Sequence, residues 1–465
     1  MLKKQAITLG LAIAGCSALW SVGAVAQTDD TQATLKALQQ QIQLLQHQVT
    51  DLQNKQSTTA NSSQASDASI KAASSGDAQA SPAAVADSGP TKKLNISGGV
   101  ATEYQLQNSK GNQSRRDGGD LIFDYFALGV DGQYGKLTYS AQERFSSVNF
   151  QDSSFLQHGW AAWDFDDAGH HQVIGGFFQV PFGNLPLGYQ SFWGSLAYFG
   201  GFTDNQAAGV GYKYENGAWR FDLDAFKNDD LEQGSTYGSN PSFGYQQVNG
   251  GSARVGYTFN NEGQNTLNVS AAVRGGELEV GTAGTDSGVT SDYGNHWAAT
   301  VAADAKVGLW TLQGQYIDYR YNIPENRTSN GVALPTNAIT IENYGFGYQM
   351  PASGQFFTGN VARDFPVDLG PISNIQIYNN YGYLKNGGSG RFDSSVPGSG
   401  NAFNSSGDAQ LEQIGAALTA GPVYFWADMM MAKNGAMAFI GPNDGDWHPR
   451  FNLTAAFYFD GDLIK

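Results

Sequence analysis

The chemistry of this chain begins with charges set opposite aromatics. In AWRFDLDAFK, residues 218 to 227, Arg220, Asp222 and Asp224 fall on one face of an extended strand. Trp219, Phe221, Leu223 and Ala225 fall on the other. Such alternation presents two different solvents to the two faces of one strand. The same parity, followed along the chain, gives basic side chains on the polar face at Arg144, Lys213, Arg220, Arg254, Arg274, Lys306 and Arg450. The acidic ones are Glu215, Asp222, Asp224, Asp304 and Asp428. On the wall of a water-filled lumen, mixed charges order water and act on passing ions through a transverse field. The plainer reading is that each is a solvated residue paired across strands. Between 121 and 131 both faces are apolar, so the direction of Asp124 stays open.

Other chemistries are excluded. The chain has no Gly-x-Ser-x-Gly, no phosphate loop and no zinc motif, so neither an enzyme nor a cofactor protein is expected. Its histidines (47, 158, 170, 171, 296 and 448) lack metal-ligand spacing, and His170-His171 reads as a solvated turn. Asn443-Asp444-Gly445-Asp446 lacks the full calcium-loop pattern and reads as an acidic turn, so no metal is expected. The charge is strongly negative, 26 basic against 42 acidic side chains, which excludes nucleic acid as a partner.

The elements that must hold the charged face are strands. From Leu94 to the end, segments of about 10 to 13 residues alternate apolar with polar, punctuated by Gly, Asn, Asp, Ser and Pro. LNVSAAVR (267–274) and SARVGYTF (252–259) repeat the opening pattern. Short connections at 133–135, 216–217, 307–308 and 421–422 alternate with long polar ones at 107–119, 179–206, 228–249, 276–294, 322–339, 385–407 and 433–447. This asymmetry belongs to transmembrane β-barrels, with short periplasmic turns and long external loops. With short and long connections alternating, the count is about 16 strands, an even number. It requires that 354–362 not be a full strand, lying between a turn near Met350 and the loop after Leu384, and it leaves 351–372 as a long periplasmic connection. The last segment, RFNLTAAFYF (450–459), puts Phe451, Leu453, Ala455, Phe457 and Phe459 on one face. A closed barrel has no unpaired edge, as a bilayer requires, so Trp219, Phe221, Leu223 and Ala225 are expected to face lipid. The soluble alternative is a secreted sandwich or propeller with the same alternation turned inward.

One long connection departs from the rest. Residues 179 to 206 carry Phe182, Leu187, Tyr189, Phe192, Trp193 and Tyr198, too apolar for an exposed loop. Folded into the barrel, they bury that face and narrow the lumen; packed against a neighbouring subunit, they bury it there.

The first 93 residues are organised differently. Lys3 and Lys4, an apolar run and Ala24-Val25-Ala26 form a signal peptide over 1–26. The only cysteine, Cys16, gives a competing lipobox reading, against which the apolar run continues past it through Ala18, Leu19, Trp20 and Val22. Residues 27–56 contain a heptad with Leu35, Ile42 and Val49 at a and Leu38, Leu45 and Leu52 at d, a periplasmic coiled-coil helix or one amphipathic helix docked on the body. Residues 57–93 are a Ser-, Ala- and Asp-rich tether. The barrel then occupies 94–465.

GGFFQVPFG (175–183) resembles the Val-Pro-Phe-Gly strand end of the phosphate-selective porin O/P superfamily. The segments ISNIQIYNNYGYL, LTAGPVYFWADMMMAKN and WHPRFNLTAAFYF are similar to its last strands. With the coiled-coil start, the tether and the acidic barrel, the chain looks closest to the siderophore-porin branch typified by the legiobactin receptor. The resemblance spans about 30 to 459. It implies an outer-membrane trimer among lipid and lipopolysaccharide, passing small hydrophilic solutes with a siderophore or its iron complex as cargo. Phosphate is disfavoured, because 94–465 hold 19 basic against 36 acidic side chains. Two other readings stand beside this one: a general cation-leaning porin, and a plugged barrel that anchors its coiled coil in the envelope.

Overall fold

The computed structural model describes residues 92–107, 117–146, 153–229, 237–238, 245–260, 265–281, 293–325, 327–329, 332–343, 346–387 and 408–464. The signal peptide, coiled coil and most of the tether, all expected from sequence, lie outside them.

Sixteen antiparallel strands close into one barrel. They are β1 (Lys92–Gln107), β2 (Asp120–Tyr134), β3 (Leu137–Ser146), β4 (Ser153–Asp164), β5 (His171–Gln179), β6 (Gln206–Asn216), β7 (Trp219–Asn228) and β8 (Tyr245–Phe259). The second half comprises β9 (Thr266–Val280), β10 (Gly294–Val307), β11 (Trp310–Asn322), β12 (Ser353–Leu369), β13 (Ile372–Asn386), β14 (Ala409–Ala420), β15 (Val423–Lys433) and β16 (Trp447–Ile464). β1 pairs with β16, from Leu94 opposite Ile464 to Gln107 opposite Arg450, so no edge is left unpaired. Five two-residue turns at one end open with glycine in the left-handed region: Gly135, Gly217, Gly308, Gly370 and Gly421, with φ between 57° and 63°. A hairpin turn with positive φ at its first central position matches the strand twist and tolerates little but glycine there. The long connections all emerge at the other end.

The exposed and sheltered faces alternate as the barrel requires. On β7, Trp219, Phe221 and Leu223 are 48%, 43% and 63% exposed while Asp222 and Asp224 are buried. Val301, Leu312, Phe357, Ile377, Ile414 and Leu453 continue the outward apolar band around the wall. No helix among the described residues is long and apolar enough to cross a membrane. The ambiguity between 121 and 131 comes from a bulge. Ala101 pairs with Tyr125 and Thr102 with Phe123, so Asp124 is the extra residue and the parity switches there. Asp124 is buried.

One sequence expectation is corrected. Residues 354–362 are the heart of β12, which pairs with β11 from Trp310–Arg363 to Arg320–Ser353 and with β13 along its length. The expected long connection at 351–372 is therefore a strand ending in the turn at 370–371. The stretch running into Met350 leaves the wall instead. Ala338–Asn343 and Phe346–Pro351 form a hairpin that adds Tyr237–Gly238 as a third strand. Sixteen was the right number with one wrong member. Alternation of connection lengths misled because the turn it counted near Met350 follows a hairpin that lies outside the wall, while the wall's own short turn is at 370–371.

Candidate functional site

The lumen is built in three layers. At the end of the short turns, β6, β7 and β8 bring Lys213, Asp222 and Arg254 into one lateral row. Arg220 grips Asp222 through Nε and Nη2 at 2.9 to 3.1 Å. Arg254 Nη1 lies 3.6 Å from Asp222 Oδ2, which Arg220 Nε also meets, and Lys213 Nζ lies 2.8 Å from Glu215. Asp224 accepts from Ser252 Oγ at 2.9 Å. The Nε of Arg254 has no protein partner. These residues form a mixed-charge stripe along the wall. Asp304 accepts from Gln313 at 2.5 Å on the neighbouring wall, and Lys306 is exposed near the turn at 308–309.

The middle layer is the segment 180–205, which runs through the barrel interior and is tied to one wall strand after another. Asn184 donates to the Ala303 carbonyl of β10 at 2.8 Å, and Gln313 of β11 donates to the Leu187 carbonyl at 3.1 Å. Asn360 of β12 donates to the Gly188 carbonyl. The Gln190 amide meets Asn380 of β13 at 3.4 Å, and Gln413 of β14 meets Ser191 Oγ at 3.2 Å. Trp193 donates its indole N–H to Glu103 of β1, and the Arg450 guanidinium of β16 lies 4.1 Å from the centre of the same ring system. Arg274 of β9 donates to the Gly201 carbonyl at 3.0 Å and lies over Phe182 and Phe202. Inside the segment a single helical turn, α1 (Leu196–Phe199), is capped by Ser195, whose oxygen accepts from the Tyr198 N–H. Gly201, at φ 72°, closes it with Phe202 bonded back to Ala197. The wall makes room for α1 at Gly382, where a Cβ would lie 2.5 Å from that of Leu196.

Above this lies an apolar layer. Ile339, Ile341, Tyr348 and Met350 of the inward hairpin pack with Phe199, Phe202, Phe356 and Ile440 in one buried cluster. Tyr348 donates to the Phe199 carbonyl, and Phe439 stacks edge-on against both rings, 5.9 and 5.6 Å away. Three external connections therefore hold one another.

Of the residues expected inside the segment, Phe182, Trp193 and Tyr198 are buried, Tyr189 and Phe192 are half-buried, and Leu187 is exposed. Of the charged set, Arg274, Asp428 and Arg450 stand behind the segment as fastenings. Asp428 accepts from Tyr378 and is fully buried. Arg144 lies 5.1 Å from the Tyr125 ring centre, which in turn stacks on Phe192. Sequence reasoning missed Glu103, Tyr378, Asn360, Asn380 and Gln413. Their polar faces were legible, but nothing short of the segment's path separates an amide that ties a loop from one that meets water.

Outside the strands, two carboxyls near the lumen segment and the last long connection are shifted. Burial raises the Asp204 carboxyl to about 6, with Arg144 and the Gln206 amide opposing. The hydrogen bond from His448 holds Asp444 below the usual carboxylate range, and Asp444 also accepts from the Asp446 N–H. That turn is thus bonded internally.

Fold and lumen define a class: a closed antiparallel barrel, apolar outside and polar within, with a long connection folded inward. No family model matches the chain, and no curated protein matches it. The chain is similar to several solved structures. The outer membrane channel DcaP of Acinetobacter baumannii is 13% identical, over 80% of this chain and 98% of that one, with a TM-score of 0.48. Salmonella typhi OmpF in complex with daunomycin is 14% identical over 79% and 97%, also at 0.48. The anion-selective porin of Comamonas acidovorans is 11% identical over 79% and 100%, at 0.47. Likeness at this level carries no argument about function, and the solute has to be argued from the lumen itself.

Proposed function

We propose that this chain is an outer-membrane channel through which small hydrophilic solutes diffuse past a constriction formed by 180–205. The observation that carries the reading is the layering of the lumen. A mixed-charge, hydrogen-bonding wall at Lys213, Glu215, Arg220, Asp222 and Arg254 leads up to a segment fastened mainly by single neutral hydrogen bonds. Each such bond contributes about 0.5–1.5 kcal/mol net. A segment so held can yield locally while the closed barrel stays intact. The resemblance in 175–183 and the last strands supports the phosphate-selective porin O/P superfamily, and the coiled-coil start, the tether and the acidic barrel support its siderophore-porin branch, with a siderophore or its iron complex as cargo. The signal peptide, the periplasmic stalk at Leu35 to Leu52 and export to the outer membrane belong to the same reading.

A homo-oligomer, trimeric as the resemblance implies, is supported by Glu143. On β3 it has the outward parity of Phe145 and Ala141 and pairs with outward Leu128 and Leu156. A carboxylate within the apolar band is costly against lipid and better placed against protein. Small residues beside it, Gly159, Ala161 and Gly175, leave the wall flat enough for close approach.

The apolar outer layer favours one second reading, a plugged barrel acting as an anchor. Conductance of the purified, folded protein in a planar bilayer under a salt gradient separates the two. Stepwise openings support the channel, and the sign of the reversal potential tests whether the acidic excess sets selectivity. Silence from folded protein, unrelieved by deleting 338–351, leaves the anchor. Deleting 31–56 should then harm envelope integrity and leave nothing to lose in transport.

A further inference from the structure

On the outer face of β10 to β13, at the end of the strands away from the short turns, polar and charged residues interrupt the apolar band. Trp297, Arg320 and Ser353 form one lateral row across three strands. The next row toward the short turns holds Asp318, Gln355 and Lys385. All share the outward parity of Leu312, Phe357 and Tyr381. Together they line a groove of about 510 Å³. Arg320 and Lys385 are exposed, and no ion pair among the described residues includes either. Immediately below, Val301, Tyr316 and Phe357 resume the apolar surface.

From this we infer that the groove is a binding site for the phosphorylated sugar headgroup of an outer-leaflet glycolipid. The inference rests on the outer-membrane reading above. The Arg320 guanidinium presents a planar fork that matches phosphate oxygens two at a time, and Lys385 adds a second cation across the groove. Asp318, Gln355 and Ser353 supply acceptors and donors for sugar hydroxyls. Trp297, in the outer row, gives a flat amphipathic ring against which a sugar face can lie. The acyl chains continue down over Val301 and Phe357. Two cations against one carboxylate leave the groove net positive, so it complements an anionic headgroup and not a cationic one. Cations at a barrel rim also snorkel toward any anionic lipid. What separates this groove from that case is its concavity and its sugar-directed polar groups.

The test is lipid retention by the full-length folded protein, read by native mass spectrometry after detergent exchange. Lipid A, dephosphorylated lipid A and phosphatidylglycerol are offered separately, and lipid A again with inorganic phosphate as competitor. Three proteins are compared: the wild type, the double variant Arg320→Gln with Lys385→Gln, and Arg363→Gln. Arg363 is an outward cation over Trp310 near the turn at 308–309, so it controls for loss of charge at the opposite rim. The expected result is retention of lipid A by the wild type and by Arg363→Gln, with a loss of about tenfold in the double variant. Removal of the phosphates should bring a similar loss, and millimolar inorganic phosphate should leave retention unchanged. Equal retention by the double variant, or equal retention of phosphatidylglycerol by the wild type, overturns the inference. Competition by inorganic phosphate also overturns it, because the site would then be a plain anion site. The outer-membrane reading is tested separately by fractionation and heat-modifiable migration. A folded barrel in the outer membrane that retains no lipid A sinks the glycolipid site alone.

Discussion

Replacing Trp193 by alanine should loosen the constriction without harming the barrel. The indole is 9% exposed, bonds to Glu103 through its N–H, carries the Arg450 guanidinium on its face and sits beside Ser191, which Gln413 holds. Truncating a buried tryptophan costs about 3–5 kcal/mol in a packed site. Here that cost falls on the docked segment, since none of the wall's ladder hydrogen bonds involve it. At about 1.4 kcal/mol per decade, undocking becomes commoner by roughly two to three and a half orders of magnitude. Trp193→Phe keeps most of the ring and loses the N–H, leaving a buried carboxylate oxygen short of one donor at about 1–3 kcal/mol, or roughly one to two decades. Single-channel recording reads both as opening frequency and conductance, with heat-modifiable migration confirming the fold. The expected order is wild type least open, phenylalanine intermediate and alanine most. Identical traces from three folded proteins would refute it and show that 180–205 does not control the passage.

Three further outcomes follow from the lumen. Gly382→Ala drives a methyl into Leu196, and overpacking of this kind costs about 1–3 kcal/mol, so α1 should be displaced and opening frequency should rise while barrel folding persists. Arg254→Gln removes a cation from the stripe beside Asp222, so the reversal potential should move toward cations; no movement would mean that ions pass elsewhere. The carboxyl of Asp204 is raised to about 6, so the docked segment favours its protonated form. That contribution is complete below the ordinary carboxylate range and is lost as pH rises through about 6, so opening should be commoner at pH 7.5 than at pH 4. Asn tolerates the left-handed backbone of Asp204, at φ 59°, and Asp204→Asn should flatten this dependence.

Most of the wall was legible because a bilayer outside and water inside impose a period of two on every strand. β12 was not, although its lower turn is written in the chain. Leu369-Gly370-Pro371-Ile372 matches Ala420-Gly421-Pro422-Val423, and both glycines take a left-handed φ at a two-residue turn. Taking that turn as one of the short connections, in place of a turn near Met350, would have placed β12 in the barrel. The hairpin at 338–351 competed successfully for the place because it, too, alternates: Ile339, Ile341, Tyr348 and Met350 are all buried. Alternation reports two unlike sides and does not say what they are.

The same limit governs the lumen. Inward parity was read as contact with water, which fits Lys213 and Lys306 but not Arg274 or Arg450. The latter two are over nine-tenths buried under aromatic rings of 180–205. A buried guanidinium needs both partners and a flat ring face to be tolerable, and the segment provides them: the Gly201 carbonyl and Phe182 for Arg274, and Trp193 for Arg450. The excess of aromatics in 179–206 and the arginines far along the chain are thus two halves of one arrangement. Sequence separates them by scores of residues, and only closure of the barrel brings them together. It follows that the arginines and the aromatics should couple in double-mutant cycles. Arg450→Gln on top of Trp193→Ala should add little to opening frequency, whereas on the wild type it should raise that frequency clearly. Full additivity of the two would mean that Arg450 acts on the permeating solute and not through the segment.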